Sequence, residues 1–189
     1  MNDVQSRFRA LFQRSYDRIL AYAMRRTNTP DDAADAVSDV YRIAWQHLDQ
    51  IPDDDREILW LYATARRVVA NLNRGARRRG RLVEKLSADL SVHPRYTEPA
   101  PEELDAGRAA RHLAEEDREI LMLSAWEGLT SAELARTLGC SPVAARLRLS
   151  RARARLNALL ADDGTTTKQP SGPGHIRTQR QPRTASHSR

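Results

Sequence analysis

The sequence of 189 residues has one cysteine, Cys140, only five histidines, and no long apolar run. A single cysteine excludes an internal disulfide bond and a cysteine-rich metal site. No apolar stretch approaches the ~20 residues of a membrane-spanning helix, and the polar N-terminus lacks the apolar core of a signal peptide. We therefore expect a cytoplasmic protein without membrane insertion. The histidines are scattered, so no clustered His/Asp/Glu set indicates an enzyme, a cofactor or a metal site.

Positive charge exceeds negative charge, and the two signs are separated along the chain. The net charge of +6 at pH 7 favours a polyanionic partner. Residues 28–58 contain nine acids and two arginines, whereas residues 66–85 contain eight basic residues and one acid. Acidic and basic blocks in succession predict two kinds of partner, a protein and a nucleic acid.

Residues 130–160 carry the pattern of two helices joined by a short turn. Thr130 and Glu133 form an S/T-x-x-E capping box, which predicts a helix from Ser131. Gly139 suits the left-handed conformation that ends a helix. Two helices joined in this way form a helix-turn-helix, in which the second helix lies in the DNA major groove.

The second of these helices should begin at Pro142, with Ser141 as its N-cap. Five arginines and no acid lie between Cys140 and Ala161. Arginine suits bidentate contacts with phosphates and guanine edges, so DNA binding is the preferred interpretation over an ordinary solvated basic face. The opposite, apolar stripe is predicted to pack on the first helix, and it comprises Ala145, Leu149, Ala152, Leu156, Leu159 and Leu160.

Three helices are predicted in the N-terminal half, at residues 3–27, 30–47 and 56–79. In the second, Asp32, Asp35 and Asp39 share one face. No histidine or glutamate stands nearby to complete a metal or catalytic site, so this face is either solvated or offered to a basic partner.

The third helix opens with apolar and aromatic residues and ends in a basic run. Rings followed by arginines fit single-stranded DNA, in which bases stack on the rings and arginine follows the backbone. The alternative is that Trp60 and Tyr62 belong to the core, and for Trp60 this interpretation is preferred.

The chain is thus predicted to be all-α, with two small helical domains. Residues 1–81 form the first domain, a helical bundle, and residues 108–161 the second, a four-helix domain with the helix-turn-helix at 131–150. Prolines interrupt any periodicity between them, so 82–107 is predicted to be a flexible linker. Residues 162–189 contain one large aliphatic residue, Ile176, and are predicted to be a disordered basic tail.

Four motifs, which follow one another along the chain in the same order as in the family, resemble those of the extracytoplasmic function (ECF) sigma factors, small members of the bacterial sigma-70 family. YDRILAYAMRR (16–26) is similar to the start of region 2, and DAADAVSDVYRIAW (32–45) to its core-binding helix. WLYATARRVVANLNR (60–74) resembles the helix that recognises the minus-ten element. The stretch from Glu115 to Arg153 resembles region 4, which reads the minus-thirty-five element.

The resemblance implies roles for individual residues. Core-polymerase binding is implied for Asp35, Val37, Ser38, Asp39, Tyr41 and Trp45. Minus-ten contacts are implied for Trp60, Arg66, Arg67, Asn71, Arg74, Arg77 and Arg78, with a flipped base captured by the loop at 49–58. Minus-thirty-five contacts are implied for Ser141, Val143, Ala144, Arg146, Leu147, Arg148, Ser150 and Arg151.

The implied function is that of an ECF sigma factor, which joins RNA polymerase core, melts the minus-ten element and reads the minus-thirty-five element. The implied partners are the clamp helices of the largest polymerase subunit, the flap of the second-largest subunit, promoter DNA and an anti-sigma factor. A stand-alone helix-turn-helix regulator is the alternative. It would need a ligand, receiver or dimerisation element, which the N-terminal half does not show.

The sequence departs from the family pattern at four places. Ser38 stands where the family usually has Gln, and Arg67 where it often has Asn. Residues 143–145 are Val-Ala-Ala instead of Gly-Thr-Val, and Leu147 replaces a frequent Ser. The apolar side chains either contact thymine methyl groups or loosen sequence specificity.

Overall fold

A computed structural model describes residues 3–86, 107 and 109–166. Most of the predicted linker and tail lies outside these residues. The described elements are α1 (Asp3–Met24), α2 (Pro30–Gln46), a 3-10 turn (Leu48–Gln50), α3 (Glu57–Leu86), α4 (Glu115–Ala125), α5 (Ser131–Leu138) and α6 (Pro142–Thr166). Residues 109–112 are also helical, and the described part of the chain contains no strand. The predicted all-α fold is confirmed.

Helices α1, α2 and α3 pack together as an N-terminal bundle. The start of α2 follows from its sequence, since the side chain of Thr29 accepts a hydrogen bond from the Asp32 amide at 3.0 Å and Pro30 occupies the first turn. Ile19, Ala33, Ala44 and other apolar residues of the bundle are fully buried. Burial of these helical stripes against one another holds the three helices in place.

Helix α3 extends to Leu86, so the prediction that it ends at Arg79 is wrong. Glycine in a helix costs only about 1 kcal/mol, and apart from Gly80 and Val83 the residues from 76 to 86 are good helix formers. Helix α6 likewise continues to Thr166 and so includes the first five residues, 162–166, of the predicted tail. Neither segment contains a proline that would stop the helix.

The C-terminal helices α4, α5 and α6 pack together, and α5 and α6 form the predicted helix-turn-helix. The Glu133 carboxylate accepts from the Thr130 amide at 2.8 Å, and Thr130 Oγ1 accepts from the Glu133 amide at 3.4 Å, which completes the capping box. Gly139 has a φ of 66° and ends α5 in the left-handed region. Ser141 Oγ caps α6 by accepting from the Ala144 amide at 3.2 Å.

The two helical groups also contact each other. Helix α5 packs against α3, and a single hydrophobic core contains residues of both groups, such as Tyr22 of α1 and Leu134 of α5. Both residues are fully buried. The first helix of the helix-turn-helix therefore lies on the helix that the sequence relates to minus-ten recognition.

Candidate protein and nucleic-acid interfaces

Helix α2 exposes an acidic face. Asp35, Ser38 and Asp39 are exposed, and Asp39 Oδ1 lies 3.0 Å from Nη2 of Arg42, one turn later. Val37 and Tyr41 are each only 5% exposed and do not lie on this face. They occupy the apolar stripe that packs inside the bundle, so the structure does not place them where they could contact a protein partner directly.

An aromatic surface adjoins the acidic face, and it was not identified as a unit from the sequence. Its members are Phe8, Phe12, Tyr16 and Trp45, and the first three of these rings contact the buried ring of Tyr41. The rings of Phe8 and Trp45 meet edge to face with centroids 5.0 Å apart, and those of Phe12 and Tyr41 are 4.7 Å apart. Trp45 is 46% exposed and Phe12 is 37% exposed. In the sequence, the i, i+4 spacing of Phe8 and Phe12 indicates that these two rings share a face of α1. Their position next to α2 depends on how the helices pack and is seen only in the structure.

Helix α3 carries the residues related to minus-ten recognition. Trp60 is half-buried and packs on the core, which agrees with the preferred interpretation. Arg66 is half-buried, whereas Arg67 and Arg78 are exposed. Asn71 and Arg74 are also exposed and are hydrogen-bonded to each other. The backbone of Arg77 is helical, and its side chain lies outside the described residues.

The loop before α3 is held at both ends. Ile51 is buried, and its carbonyl accepts a 2.6 Å hydrogen bond from Arg7 of α1. The Arg56 guanidinium contacts Asp54 at 2.7 Å, and this hydrogen bond lowers the pKa of the Asp54 carboxyl. Residues 53–56 themselves are exposed, so a base could approach them from solvent.

Helix α6 exposes both arginines and apolar side chains. Val143 is 71% exposed and Leu147 is 48% exposed. These two residues lie one turn apart and therefore share a face. Ser141, Arg146, Arg148, Ser150 and Arg151 are also exposed, and Ala144 is half-buried.

The five arginines of α6 fall into two groups. Arg153 donates to Ser124 at 3.3 Å, and Arg155 forms an ion pair with Asp117, so these two contact α4. Within the described residues, no hydrogen bond or ion pair engages the side chains of Arg146, Arg148 and Arg151. Their charges remain available to an anionic partner.

Two protein families match the N-terminal and C-terminal halves of the chain. Residues 11–79 match the Sigma-70 region 2 family, and residues 104–156 match the Sigma-70, region 4 family. Within the described parts of the chain, every helix is too short or too polar to span a lipid bilayer.

Two curated relatives match over most of their length. The chain is 35% identical to the RNA polymerase sigma factor CnrH of Cupriavidus metallidurans, over 76% of this chain and 82% of the relative. It is 30% identical to the ECF RNA polymerase sigma factor SigL of Mycobacterium tuberculosis, over 84% of this chain and 91% of the relative.

A solved structure has the same fold. The sigma factor RpoE, in complex with the anti-sigma factor NepR from Bartonella quintana, matches with a TM-score of 0.61 and 26% identity. The match covers 82% of this chain and 98% of that chain. The chain belongs to the ECF subfamily of the bacterial sigma-70 family of RNA polymerase sigma factors.

Proposed function

We propose that this sigma factor binds RNA polymerase core and directs it to promoters, where it melts the minus-ten element and reads the minus-thirty-five element. The observation that carries the proposal is a division of charge between two surfaces. Helix α2 exposes carboxylates beside an aromatic surface, whereas α6 exposes three arginines that no described residue engages. One surface suits a basic protein, and the other suits DNA.

Core polymerase would dock on the acidic face of α2. Asp35 and Asp39 supply the charge, and Trp45 supplies apolar area at the edge of the same face. Aromatic side chains that are half exposed are frequent anchors of protein interfaces. The clamp helices of the largest subunit are the proposed partner here, and the flap of the second-largest subunit is the proposed partner of region 4.

The minus-ten element would be opened at the junction of the loop and α3. A base that leaves the duplex stack needs a pocket, and the exposed residues 53–56 border such a position. Arg67, Arg74 and Arg78 are exposed along α3 and can follow the phosphates of the freed strand. The polymerase supplies the catalysis, and the sigma factor itself is not an enzyme.

The minus-thirty-five element would be read by the start of α6. Arg146 and Arg151 can reach base edges or phosphates, and Arg148 is more suited to phosphates. Val143 and Leu147 offer methyl-sized apolar contacts, so we propose that they contact thymine methyl groups. Of the two interpretations of these apolar residues, we therefore prefer contact with thymine methyl groups over a loss of sequence specificity.

An anti-sigma factor is a further proposed partner, and the cytoplasm is the proposed location. Support for the partner comes from the related RpoE structure, which was solved with an anti-sigma factor bound. The exposed aromatic and acidic residues of α2 would serve an inhibitor as well as they serve the polymerase, because both would be protein surfaces competing for one face.

The proposal is tested by transcription in vitro with purified core polymerase and a library of genomic promoter fragments. Transcripts that require the protein and share two upstream elements are the expected result. Sequence-specific binding to promoter duplex in the absence of core, without binding to core, would instead establish the stand-alone regulator.

A further inference from the structure

Helix α1 holds both ends of the loop that precedes α3. Residues 52–56, the base-capture loop, lie where the proposed function places a flipped base. Arg7 of α1 donates from Nη2 to the carbonyl of Ile51, the residue before the loop, at 2.6 Å. Arg14 donates from Nε to Oε1 of Glu57 at 3.0 Å and from Nη2 to Oε2 at 2.8 Å. Glu57 is the first residue of α3 and follows the loop directly.

The two arginines lie on one face of α1. Arg7 and Arg14 are seven residues apart, which is close to two helical turns, so their side chains leave the helix in the same direction. Both belong to one continuous helix, Asp3–Met24. A single rigid element therefore fixes the start and the end of the base-capture loop relative to each other.

The hydrogen bonds within the base-capture loop shape it but do not attach it to the bundle. Asp54 accepts from the amide of Arg56 at 2.8 Å and from its guanidinium at 2.7 Å, and the Glu57 amide donates to the Asp54 carbonyl at 2.9 Å. These bonds join residues two or three positions apart. The side chains of residues 53–56 are exposed, so the position of the loop depends on what holds its ends.

The ion pair of Arg14 fixes geometry more than it contributes to stability. The Arg14 side chain is 54% exposed, and that of Glu57 is 14% exposed. An ion pair with an exposed member adds little to the free energy of folding, because solvent screens the charges. Its bidentate geometry nevertheless sets the direction of the Glu57 carboxylate, and with it the entry of the chain into α3.

We propose that Arg7 and Arg14 are positioning residues for promoter melting, which hold the base-capture loop in the conformation that accepts the flipped base. The inference rests on the proposed function, because it concerns the step in which the base enters the loop. A preformed loop binds the base without a further loss of conformational entropy, whereas a loop released at one end must be ordered during binding. The effect of the two arginines should therefore be confined to the base that the loop holds.

The test uses the full chain with the single substitutions Arg7→Ala, Arg14→Ala and Glu57→Ala. Arg155→Ala is the matched control, because Arg155 of α6 forms an ion pair with Asp117 of α4, and these side chains are 59% and 13% exposed. The control thus removes an ion pair of nearly the same exposure at a distant place. Circular dichroism and the affinity for core polymerase verify that each variant folds and forms holoenzyme.

The readout is the affinity of holoenzyme for a non-template oligonucleotide that carries the minus-ten element, measured by fluorescence anisotropy. One base at a time is replaced by an abasic site, and the ratio of the intact to the abasic affinity gives the contribution of that base. In the three loop variants we expect this ratio to fall about fivefold at the captured base and to keep its wild-type value at the other positions. Arg155→Ala should keep the wild-type ratio at every position.

Glu57→Ala distinguishes positioning from direct contact of Arg14 with DNA. If Arg14 itself bound DNA, removal of its carboxylate partner would release the guanidinium and would tighten binding to intact and abasic oligonucleotides alike. That result would overturn the inference. An equal fall of the ratio at every position would also overturn it, because such a fall indicates a general structural effect.

The wild-type holoenzyme separates failure of this inference from failure of the proposed function. If no abasic site weakens binding of the wild type, the protein captures no base, and the proposed melting and the positioning role both fail. If one base contributes in the wild type and the three loop variants retain its full contribution, the positioning role alone is refuted.

Discussion

The hydroxyl oxygens of Ser15 and Tyr41 lie 2.8 Å apart inside the N-terminal bundle and join α1 to α2. Ser15 donates its proton to the Leu11 carbonyl at 2.6 Å, so Tyr41 must be the donor of the bond between the two hydroxyls. Tyr41 is only 5% exposed, and burial raises its pKa to about 12. A residue that the family resemblance relates to polymerase binding therefore serves the interior of the bundle.

The burial of the Tyr41 hydroxyl predicts a loss of stability at alkaline pH. Because the folded state holds the Tyr41 proton more tightly than the unfolded chain, its contribution is complete below pH 10 and is lost as the pH rises toward about 12. We expect the free energy of unfolding to fall by about 2–3 kcal/mol over this window. Urea denaturation of the wild type and Tyr41→Phe at several pH values measures the effect. An equally steep loss in Tyr41→Phe would assign it to other groups.

Replacement of Asp35 and Asp39 with lysine is predicted to impair core binding while the fold is retained. Both residues are exposed on α2, so the substitution reverses the charge of the docking face without disturbing the core. The affinity for core polymerase is measured by surface plasmon resonance. Lysine at Asp17, an exposed acid of α1, gives a control for surface charge in general. If the double variant binds core as tightly as the wild type, the acidic face of α2 is not the docking surface.

Arg146→Ala and Arg155→Ala are predicted to differ in their effect on promoter binding. Arg146 has no described partner, whereas Arg155 is paired with Asp117. Loss of a base contact at Arg146 should weaken holoenzyme binding by about 1–3 kcal/mol for the cognate sequence. Loss of a phosphate contact should instead weaken binding to all sequences and reduce the salt dependence by about one ion. Equal promoter affinities for the two variants would show that this face of α6 does not contact the promoter.

The apolar residues of α6 predict that thymine methyl groups matter in the minus-thirty-five element. Replacing a contacted thymine with uracil removes one methyl group, worth about 0.8 kcal/mol, or roughly a fourfold loss of affinity. We also compare the variants Leu147→Ala and Val143→Ala. In the variant that lacks the side chain in contact with the methyl group, the affinity should be the same for the thymine and uracil promoters. Binding of holoenzyme to paired thymine and uracil promoters provides the measurement. Full sensitivity in both variants would show that neither side chain contacts the methyl group.

Much of the local structure could be predicted from residues that are close together in the sequence. The capping box of Thr130 and Glu133, the left-handed Gly139 and the Thr29 cap each depend on neighbours in sequence, and the structure confirms all three. The end of α3 was missed because glycine only weakens a helix, and no stronger stop signal follows Gly75 in the described segment.

Contacts between distant residues could not be predicted in the same way. Val37 and Tyr41 belong to a motif that the family uses for core binding, but their burial depends on how α2 packs on α1. The ion pairs of Arg26 join positions about a hundred residues apart in the chain, for which no periodicity gives a signal. The sequence identifies which side chains carry charge, and the fold determines which of them remain available to a partner.

Permanganate reactivity of promoter DNA tests the central claim most directly, because the reagent oxidises thymines only where the duplex is open. The account predicts reactive minus-ten thymines when core polymerase and this protein are present together, and none with either component alone. Reactivity should fall with the Asp35 and Asp39 lysine variant, for which we predict impaired binding to core. If core and protein bind each other and the promoter while the minus-ten thymines stay protected, the protein does not open promoters as proposed.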